Sequence, residues 1–342
     1  MSATATRVIE VRNLVKHFPV ADGVLQRQAA TVKAVDDVSF DVMGGETLGI
    51  VGEHGCGKST MARLIVRMLD PTSGEIRIQG RDISACKGAE LRQLRREVQM
   101  IFQDPDWTLN PHRQVGTIIG EPYAIHGMHP AESERRRRVQ ELMRRVGLDL
   151  AHYDRYPHEF SRGERQRIGI ARAIALEPKV LIADEPVSAL DVSLQTQLLS
   201  LLRELQRERG LTLIFVTRDL PVASHLCDRV AVMYLGKIVE LAANESLFSF
   251  PRHPYTGALI SAVPGERRKR ELLIGETPSA AAVPSGCRFH PRCPKAQHLC
   301  SQNEPPLVDK GGGTMAACHY PLTREEADIQ LPAGLTAVDA AP

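Results

Sequence analysis

FSRGERQRIGIARAIALEPKVLIADEPVSALD, residues 160–191, is the stretch that decides the fold class. It combines a short loop, an amphipathic helix pattern, and the apolar run Val180–Ala183 followed by Asp184 and Glu185. A continuous apolar run of this length is typical of a parallel strand buried on both faces. The stretch therefore predicts an α/β fold in which one strand presents two carboxylates at its C-terminal end.

A glycine-rich loop lies upstream, at residues 52–59, with the sequence GEHGCGKS. It follows the apolar run TLGIV and precedes the helix pattern STMARLIVRML, which is the context that a phosphate-binding loop requires. Glycines let backbone amides converge on phosphates, Lys58 can neutralise the β and γ oxygens, and Ser59 can ligate Mg²⁺. The predicted nucleotide contacts are Gly52, Gly55, Cys56, Gly57, Lys58, Ser59 and Thr60.

The two carboxylates of the opening stretch complete this chemistry. Asp184 suits the coordination shell of Mg²⁺, directly or through water, and Glu185 suits general-base work on an attacking water. Acidic residues often end strands, so the pair alone would mean little. Together with a phosphate loop, the pair predicts an ATP-hydrolysing enzyme with ATP and Mg²⁺ at its site.

Composition narrows the class of protein further. The 342 residues carry 43 Lys and Arg against 41 Asp and Glu, a net charge of +2, which makes no electrostatic case for binding nucleic acid. No apolar run approaches the roughly 18–20 residues that span a bilayer. The N-terminus lacks the apolar segment of a secretion signal. We expect a cytoplasmic protein whose membrane role, if it has one, goes through a partner.

The order of patterns along the chain predicts the architecture. Residues 7–20 and 32–43 resemble two antiparallel strands, and the pattern turns helical and charged from about 90 to 165. Strand and helix patterns then alternate through KVLIADEP, LTLIFVT and RVAVMYLGKIVEL, and a Pro-, Gly- and Arg-rich texture follows Pro251. We predict a P-loop NTPase with an antiparallel β subdomain, an inserted helical subdomain and a small Cys-rich C-terminal extension.

The motifs together resemble the ATPase subunit of an ATP-binding-cassette (ABC) transporter, and most closely the oligopeptide/dipeptide importer branch, over residues 7 to about 320. Phe102–Pro105 (FQDP) resembles the Q-loop, which implies that Gln103 reaches Mg²⁺ and the attacking water. Ser188–Asp191 (SALD) resembles the D-loop of the dimer seam. Phe18 lies where the family stacks an aromatic ring on adenine, although simple strand packing of Phe18 and a role for His17 stay open.

The resemblance also implies boundaries, partners and a location. We expect an ABC nucleotide-binding domain at 5–250 with its helical subdomain at about 104–165, an extension at 251–330 and a flexible tail at 331–342. The implied partners are a second ATPase subunit, two transmembrane permease subunits and, indirectly, an extracytoplasmic substrate-binding protein. The implied location is peripheral, at the cytoplasmic face of the inner membrane. Peptides are the implied cargo, with nickel or another small solute left open.

Four of the seven cysteines cluster near the C-terminus, as Cys287-x5-Cys293-x6-Cys300-x17-Cys318. In a reducing compartment such a cluster favours a metal centre over disulfides. The spacing resembles the extension that holds a [4Fe–4S] cluster in the peptide-importer branch. Four thiolates can equally bind Zn²⁺, but the spacing lacks the paired CxxC of most zinc ribbons, so the iron–sulfur cluster is the preferred prediction.

Two sites depart from the family pattern. The family's signature SGGQ is here Ser161-Arg162-Gly163-Glu164, and the switch histidine is here Arg218. In the family, the signature serine and the following backbone amides contact the γ-phosphate held by the opposite subunit, which assigns Ser161 and Gly163 to the partner's nucleotide. Arg162 must then point away, clash or bind phosphate, and Glu164 adds a negative charge.

Arg218 can still hydrogen-bond phosphate, although it stays cationic and has a different reach from histidine. Since each ATP site combines two subunits, a homodimer would carry both departures in both sites. We therefore predict a heterodimer with a second ATPase subunit and one impaired composite site. A divergent loop at Arg218 without catalytic consequence is the alternative.

Two other classes of function remain to be weighed. A non-hydrolytic regulatory subunit of the same transporter class is favoured by the departures and opposed by the retained Glu185. A non-transport ABC ATPase is less favoured, because only about 100 residues separate Lys58 from Ser161 and the sequence has no second phosphate loop.

Overall fold

The computed structural model describes residues 6–22, 27–188, 190–263 and 275–327. The chain divides into two compact units, one made of residues 1–84 and 215–342 and the other of residues 85–214. The predicted flexible tail at 331–342 lies outside the described residues.

The first unit begins with the predicted antiparallel strands, followed by the phosphate loop. Its elements up to residue 84 are β1 (Arg7–Asp22), β2 (Arg27–Met43), β3 (Thr47–Val51), α1 (Lys58–Ile65), β4 (Ser73–Ile78) and β5 (Arg81–Asp82). Strands β2, β1, β4 and β5 form one sheet in that order, and all neighbouring pairs are antiparallel. Its inward side chains, such as Ile9, Val11 and Ile76, are fully buried.

Helix α1 is shorter than its pattern predicts. The apolar run suggested a helix to Leu69, but the helix ends at Ile65 and Arg67 has a positive φ of 53°. The Arg67 Nε donates a hydrogen bond to the Ile83 carbonyl at 2.7 Å, so a tertiary contact holds the residue in the left-handed conformation.

The second unit alternates helices and strands. Its elements are α2 (Gly88–Glu97), β6 (Val98–Ile101), α3 (Pro105–Thr108), α4 (Val115–Ile125), α5 (Glu132–Arg145), α6 (Arg162–Ile174), β7 (Val180–Asp184), α7 (Val192–Arg209) and the start of β8 (Thr212–Thr217). Strand β6 pairs in parallel with β7, from Val98 opposite Val180 to Ile101 opposite Ala183. The sequence interpretation missed β6, because its four residues lie inside a charged helical pattern and only pairing with β7 makes them a strand.

The first unit resumes after β8. It contains α8 (Leu220–Leu226), β9 (Arg229–Tyr234), β10 (Lys237–Ala243), α9 (Asn244–Ser249), α10 (Pro254–Ser261), α11 (His298–Gln302), β11 (Val308–Asp309), β12 (Met315–Ala316) and α12 (Arg324–Ala327). The run RVAVMYLGKIVEL is two antiparallel strands, β9 and β10. Leu235 and Gly236 turn the chain between them with positive φ values of 42° and 82°.

Within this unit, strands β11, β12, β10, β9 and β3 lie side by side in that order. Strand β3 is parallel to β9, and the C-terminal region adds β12 to the edge of β10, with Ala316 opposite Glu240. The sequence did not predict this addition, because β12 has only two residues. In the described parts of the chain, no helix is both long and apolar enough to cross a membrane.

Candidate nucleotide site

The phosphate loop has the predicted strand, loop and helix context, between β3 and α1. At two of its glycines, both the backbone conformation and steric contact exclude a side chain. A Cβ at Gly57, where φ is 109°, would lie 2.0 Å from the Ala34 carbonyl oxygen. A Cβ at Gly52 would lie 2.2 Å from the Met233 carbonyl oxygen. Side chains are therefore excluded where the backbone must approach its neighbours closely.

Lys58 is buried within this loop, with 4% of its surface exposed. Its Nζ donates to the carbonyl oxygens of Gly52 at 2.8 Å and Glu53 at 2.9 Å. The Cys56 Sγ lies 3.8 Å from the same ammonium, and burial raises the pKa of that thiol, so Cys56 is a neutral packing residue. The ammonium thus lies inside the loop, among carbonyl oxygens that phosphate oxygens can replace.

The two carboxylates lie in the second unit, at the C-terminal end of β7. Asp184 is 2% exposed and Glu185 is 6% exposed. Glu185 has a positive φ of 43°, a conformation that non-glycine residues adopt at a cost of order 1–3 kcal/mol. The Gln103 Nε2 donates to the Glu185 Oε2 at 3.3 Å. Parallel pairing of β6 and β7 brings these residues together, because both lie just beyond the ends of their strands.

The signature segment forms the N-terminus of α6, and its side chains satisfy one another. Ser161 is the N-cap, and its hydroxyl accepts the Glu164 N–H. Glu164 reaches back, and its carboxylate accepts the Ser161 hydroxyl at 2.7 Å and the Ser161 N–H at 2.9 Å. The Ser161 hydroxyl, followed by the Ser161 amide, lowers the pKa of Glu164. Glu164 is therefore the carboxylate of a capping box.

The other two signature residues have different surroundings. The Arg162 guanidinium lies 3.7 Å from the Asp104 carboxylate, so this side chain is directed toward the Q-loop segment of the same unit. Gly163 is buried, and a Cβ there would lie 3.1 Å from Leu194. The structure therefore gives Arg162 an ion-pair partner, Asp104, within its own chain.

The remaining predicted residues are distributed over both units. Phe18 on β1 is half-buried, whereas His17 is engaged with Asp36 at 2.9 Å from Nε2 to Oδ1. His17 thus has a hydrogen-bond partner on β2, whereas the Lys16 ammonium lies 5.0 Å from the centre of the Phe18 ring. Arg218 is exposed between β8 and α8. In the D-loop segment, the Ser188 hydroxyl donates to the Glu185 carbonyl and Asp191 caps α7, while Ala189 lies outside the described residues.

One small cavity in the first unit is lined by the four clustered cysteines and by two histidines. These residues are Cys287, Cys293, Cys300, Cys318, His290 and His319. Burial, reinforced by neighbouring cysteines, raises the pKa of Cys293 to about 11 and of Cys318 to about 12, so these thiols are protonated at neutral pH. Over the ranges that the structure covers, no group of three or more His, Cys, Asp or Glu side chains is arranged to hold a metal ion. The thiols share a cavity, but as placed they do not form an ion site.

Sequence reasoning assigned no role to Glu53, which follows the first glycine of the phosphate loop. Its carboxylate forms a two-pronged ion pair with Arg292, the last residue of the short 3-10 helix His290–Arg292 between Cys287 and Cys293. The two residues are 239 positions apart, so local patterns carry no signal for this contact.

Comparison with known proteins agrees with this arrangement. Residues 35–188 match the ABC transporter family, and residues 239–300 match the oligopeptide/dipeptide transporter C-terminal region. The oligopeptide transport ATP-binding protein AppF of Bacillus subtilis (strain 168) is 49% identical over 325 residues, which cover 93% of this chain and 98% of AppF. The probable peptide ABC transporter ATP-binding protein y4tS of Sinorhizobium fredii is 50% identical over 320 residues, 91% of this chain and 89% of that protein.

Solved structures agree on the fold. The dimeric ATP-binding cassette MJ0796, in a post-hydrolysis state bound to ADP and Pi, superposes with a TM-score of 0.62 at 28% identity, over 69% of this chain and 98% of that one. The ABC ATPase fold predicted from the sequence is thereby confirmed. The chain belongs to the ABC transporter ATP-binding proteins that carry the oligopeptide/dipeptide transporter C-terminal region, and it is the ATPase subunit of an importer.

Proposed function

We propose that this chain drives the import of di- or oligopeptides by hydrolysing Mg–ATP at a site built on its phosphate loop. The hydrogen bond between Gln103 and Glu185 is the observation that carries the proposal, because it orients a carboxylate at the end of β7 as a general base requires. The peptide cargo is inferred from relatives at about 50% identity that are named as oligopeptide or peptide transporter ATP-binding proteins.

The chain's own residues divide the work of hydrolysis. The backbone amides of Gly55–Thr60 bind phosphate oxygens, Lys58 neutralises their charge, and the half-buried Phe18 ring stacks on the base. Ser59, Gln103 and Asp184 would hold Mg²⁺, which would neutralise negative charge on the phosphates when it is bound. Glu185 takes a proton from the attacking water as the bond to the γ-phosphorus forms and ADP leaves. Arg218, which stays cationic, stabilises the negative charge on the γ-phosphoryl group during its transfer to water.

The working unit is a heterodimer with a second ATPase subunit. In this assembly Ser161 and Gly163 serve the partner's nucleotide, and the site that receives them is the impaired one. The capping box supports this proposal, because Glu164 occupies the Ser161 hydroxyl and places a carboxylate at the first turn of α6. A γ-phosphate approaching this turn must compete with that carboxylate.

The other partners follow from the class of transporter. Two permease subunits form the membrane path, a substrate-binding protein delivers cargo from outside, and this chain docks peripherally on the cytoplasmic face. Trp107 on α3, 88% exposed, and the neighbouring Asn110–Pro111 turn belong to the predicted helical subdomain that transmits ATP-driven motion to the permeases. Nucleic acid is not among the partners proposed.

We further propose that the four clustered cysteines ligate a [4Fe–4S] cluster, with Zn²⁺ as the alternative. The shared cavity supports this proposal, because it collects four sulfur donors of the kind that both groups take. Binding would require the thiols to lose their protons and to move from their present positions into a ligand arrangement. Visible absorption of freshly purified protein, together with iron, sulfide and zinc analysis, separates the two. Protein that contains neither metal in stoichiometric amount would refute the assignment.

The decisive test of the ATPase proposal is Glu185→Gln in the assembled transporter. Loss of the base should lower turnover by about 100-fold or more while ATP binding persists, so nucleotide is retained. Glu204→Gln is the matched control, because Glu204 is an exposed glutamate on α7. Unchanged turnover in the Glu185 variant would remove the general base from this proposal.

The heterodimer has its own test. The purified chain should hydrolyse ATP slowly alone and faster when co-expressed with a second ATPase subunit and the permeases. Full turnover by the isolated chain would contradict the need for a different partner.

A further inference from the structure

Glu53 of the phosphate loop is held by residues from the C-terminal region of the same unit. Arg292 Nη1 and Nη2 donate to the two Glu53 carboxylate oxygens at 2.8 and 3.1 Å. The Glu53 N–H donates to the Tyr255 hydroxyl oxygen at 3.0 Å, and the Thr277 hydroxyl donates to the carboxylate at 2.9 Å. Since the Glu53 carbonyl accepts Lys58, every polar group of this residue is engaged.

Two of the groups that hold Glu53, the Tyr255 and Arg292 side chains, lie in or beside a buried aromatic cluster. Tyr234, Tyr255 and Phe289 are fully buried and pack with ring centres 4.7 to 5.4 Å apart, and the Arg292 side chain is 7% exposed beside them. The N-terminus of α10, which carries Tyr255, is anchored by the buried Glu240 carboxylate through the backbone N–H groups of residues 252 and 253. A two-pronged pair whose guanidinium is buried in such surroundings is pre-organised and loses little entropy on forming.

The ion pair has an electrostatic consequence for nucleotide binding. Glu53 lies five residues before Lys58, in the loop that we assign to the triphosphate, so an unpaired carboxylate here would repel the ligand. Arg292 cancels that charge. We propose that Arg292 is a positioning residue for the phosphate loop, and that through Glu53 the C-terminal region sets the affinity for ATP.

This inference rests on the proposed assignment of residues 52–59 to the triphosphate, and it predicts opposite signs for two substitutions. Arg292→Gln leaves the Glu53 carboxylate unpaired, and we expect ATP affinity to fall by about tenfold. Glu53→Gln leaves a guanidinium near the phosphates, and we expect affinity equal to or above that of the unmodified chain. The double variant should return to within about twofold of the unmodified chain, because the two charges are removed together.

The experiment is titration of the full-length chain with a fluorescent ATP analogue, with and without Mg²⁺, alongside thermal unfolding of each variant. Lys295→Gln is the control, since Lys295 forms an ion pair with Glu326 at 2.6 Å in the same C-terminal region. A purely structural role for the pair would weaken binding in both single variants without compensation in the double variant, and that result would overturn the proposal.

One further variant distinguishes failure of the loop assignment from failure of the present inference. Lys58→Ala tests the loop assignment separately: normal binding there would refute the triphosphate site itself, whereas lost binding with an unaffected Arg292→Gln would refute only the present inference. If Arg292→Gln does not fold, Glu53→Gln decides alone. Unchanged or tighter binding supports the proposal and weaker binding overturns it.

Discussion

The N-termini of helices α1 and α6 differ in whether a side chain of the chain itself caps the first turn. The N-cap of α1 is Gly57, which has no side chain with which to satisfy the first-turn amides. The N-cap of α6 is Ser161, which forms a capping box with Glu164. Both ends carry the positive side of a helix dipole, where the first N–H groups have no partner within the helix ladder.

The difference shows that one or two side chains decide which charge lies near the first turn of a helix. At α1, no N-cap side chain bonds to the first turn, and the buried Lys58 adds a positive charge. At α6, the chain supplies its own anion, the Glu164 carboxylate, to the Ser161 amide and hydroxyl. Under the proposed function, a nucleotide is therefore favoured at the first end and competes with an internal contact at the second.

The largest effect in this comparison should come from Lys58→Ala. Removing the buried ammonium leaves the phosphate charge uncompensated at α1, and we expect ATP affinity to fall by about 100-fold or more. Titration with a fluorescent ATP analogue measures the change. Arg63→Ala is the control, because Arg63 is an exposed cation on the same helix. Equal losses in both variants would mean that net charge, rather than the phosphate loop, controls binding.

A smaller gain should follow from making the α6 end resemble the family pattern. The double substitution Arg162→Gly and Glu164→Gln removes the side chain directed at Asp104 and the internal anion. We expect kcat of the assembled transporter to rise by about tenfold, because a γ-phosphate then meets an uncharged turn. Arg144→Gln, at an exposed position of α5, serves as the control. Unchanged kcat would show that the partner's site tolerates the self-capped end.

Ser161→Ala isolates the cap itself. The Glu164 N–H loses its acceptor, and we expect the free energy of unfolding to fall by about 1 kcal/mol. Urea unfolding of the isolated chain, followed by circular dichroism, checks this value. Gly57→Ala is the informative contrast, since there the loss should come from the clash with the Ala34 carbonyl. Equal stability of Ser161→Ala and the unmodified chain would show that Glu164 caps α6 without the hydroxyl.

The smallest effect should be a pH dependence at α6. The folded pKa of Glu164 lies below its ordinary value of 4.5, mainly through the Ser161 hydroxyl. Its contribution is therefore present above pH 4.5 and is lost as the pH falls through the folded pKa. Unfolding midpoints of the unmodified chain and of Glu164→Gln should converge as the solution is acidified. A difference that stays constant down to pH 3 would contradict this account.

Local sequence was sufficient for the elements whose chemistry is local. The phosphate loop lies between a five-residue buried strand and a helix, as the GEHGCGKS pattern predicts, and β7 delivers Asp184 and Glu185 as its apolar run predicts. The three-residue spacing of Ser161 and Glu164 also predicts a capping box. Glu164 was interpreted from the sequence only as an added negative charge.

Long-range pairing explains most of what was missed. Strand β6 exists because β7 pairs with it, and β12 exists because it extends the edge at β10. The contact between His17 and Asp36 likewise follows from the pairing of β1 with β2, and not from a local pattern. Short segments of this kind have weak periodicity, and partners far along the chain stabilise them.

The sequence by itself determined which residues are the candidates for the proposed chemistry, because glycine, lysine and carboxylate functions depend on residue type at a fixed local spacing. The tertiary structure alone decided what those residues contact. It set Gln103 against Glu185, turned Arg162 toward Asp104, and joined Glu53 to Arg292 across 239 positions. Such contacts depend on how the chain folds back on itself, and no local pattern encodes that distance.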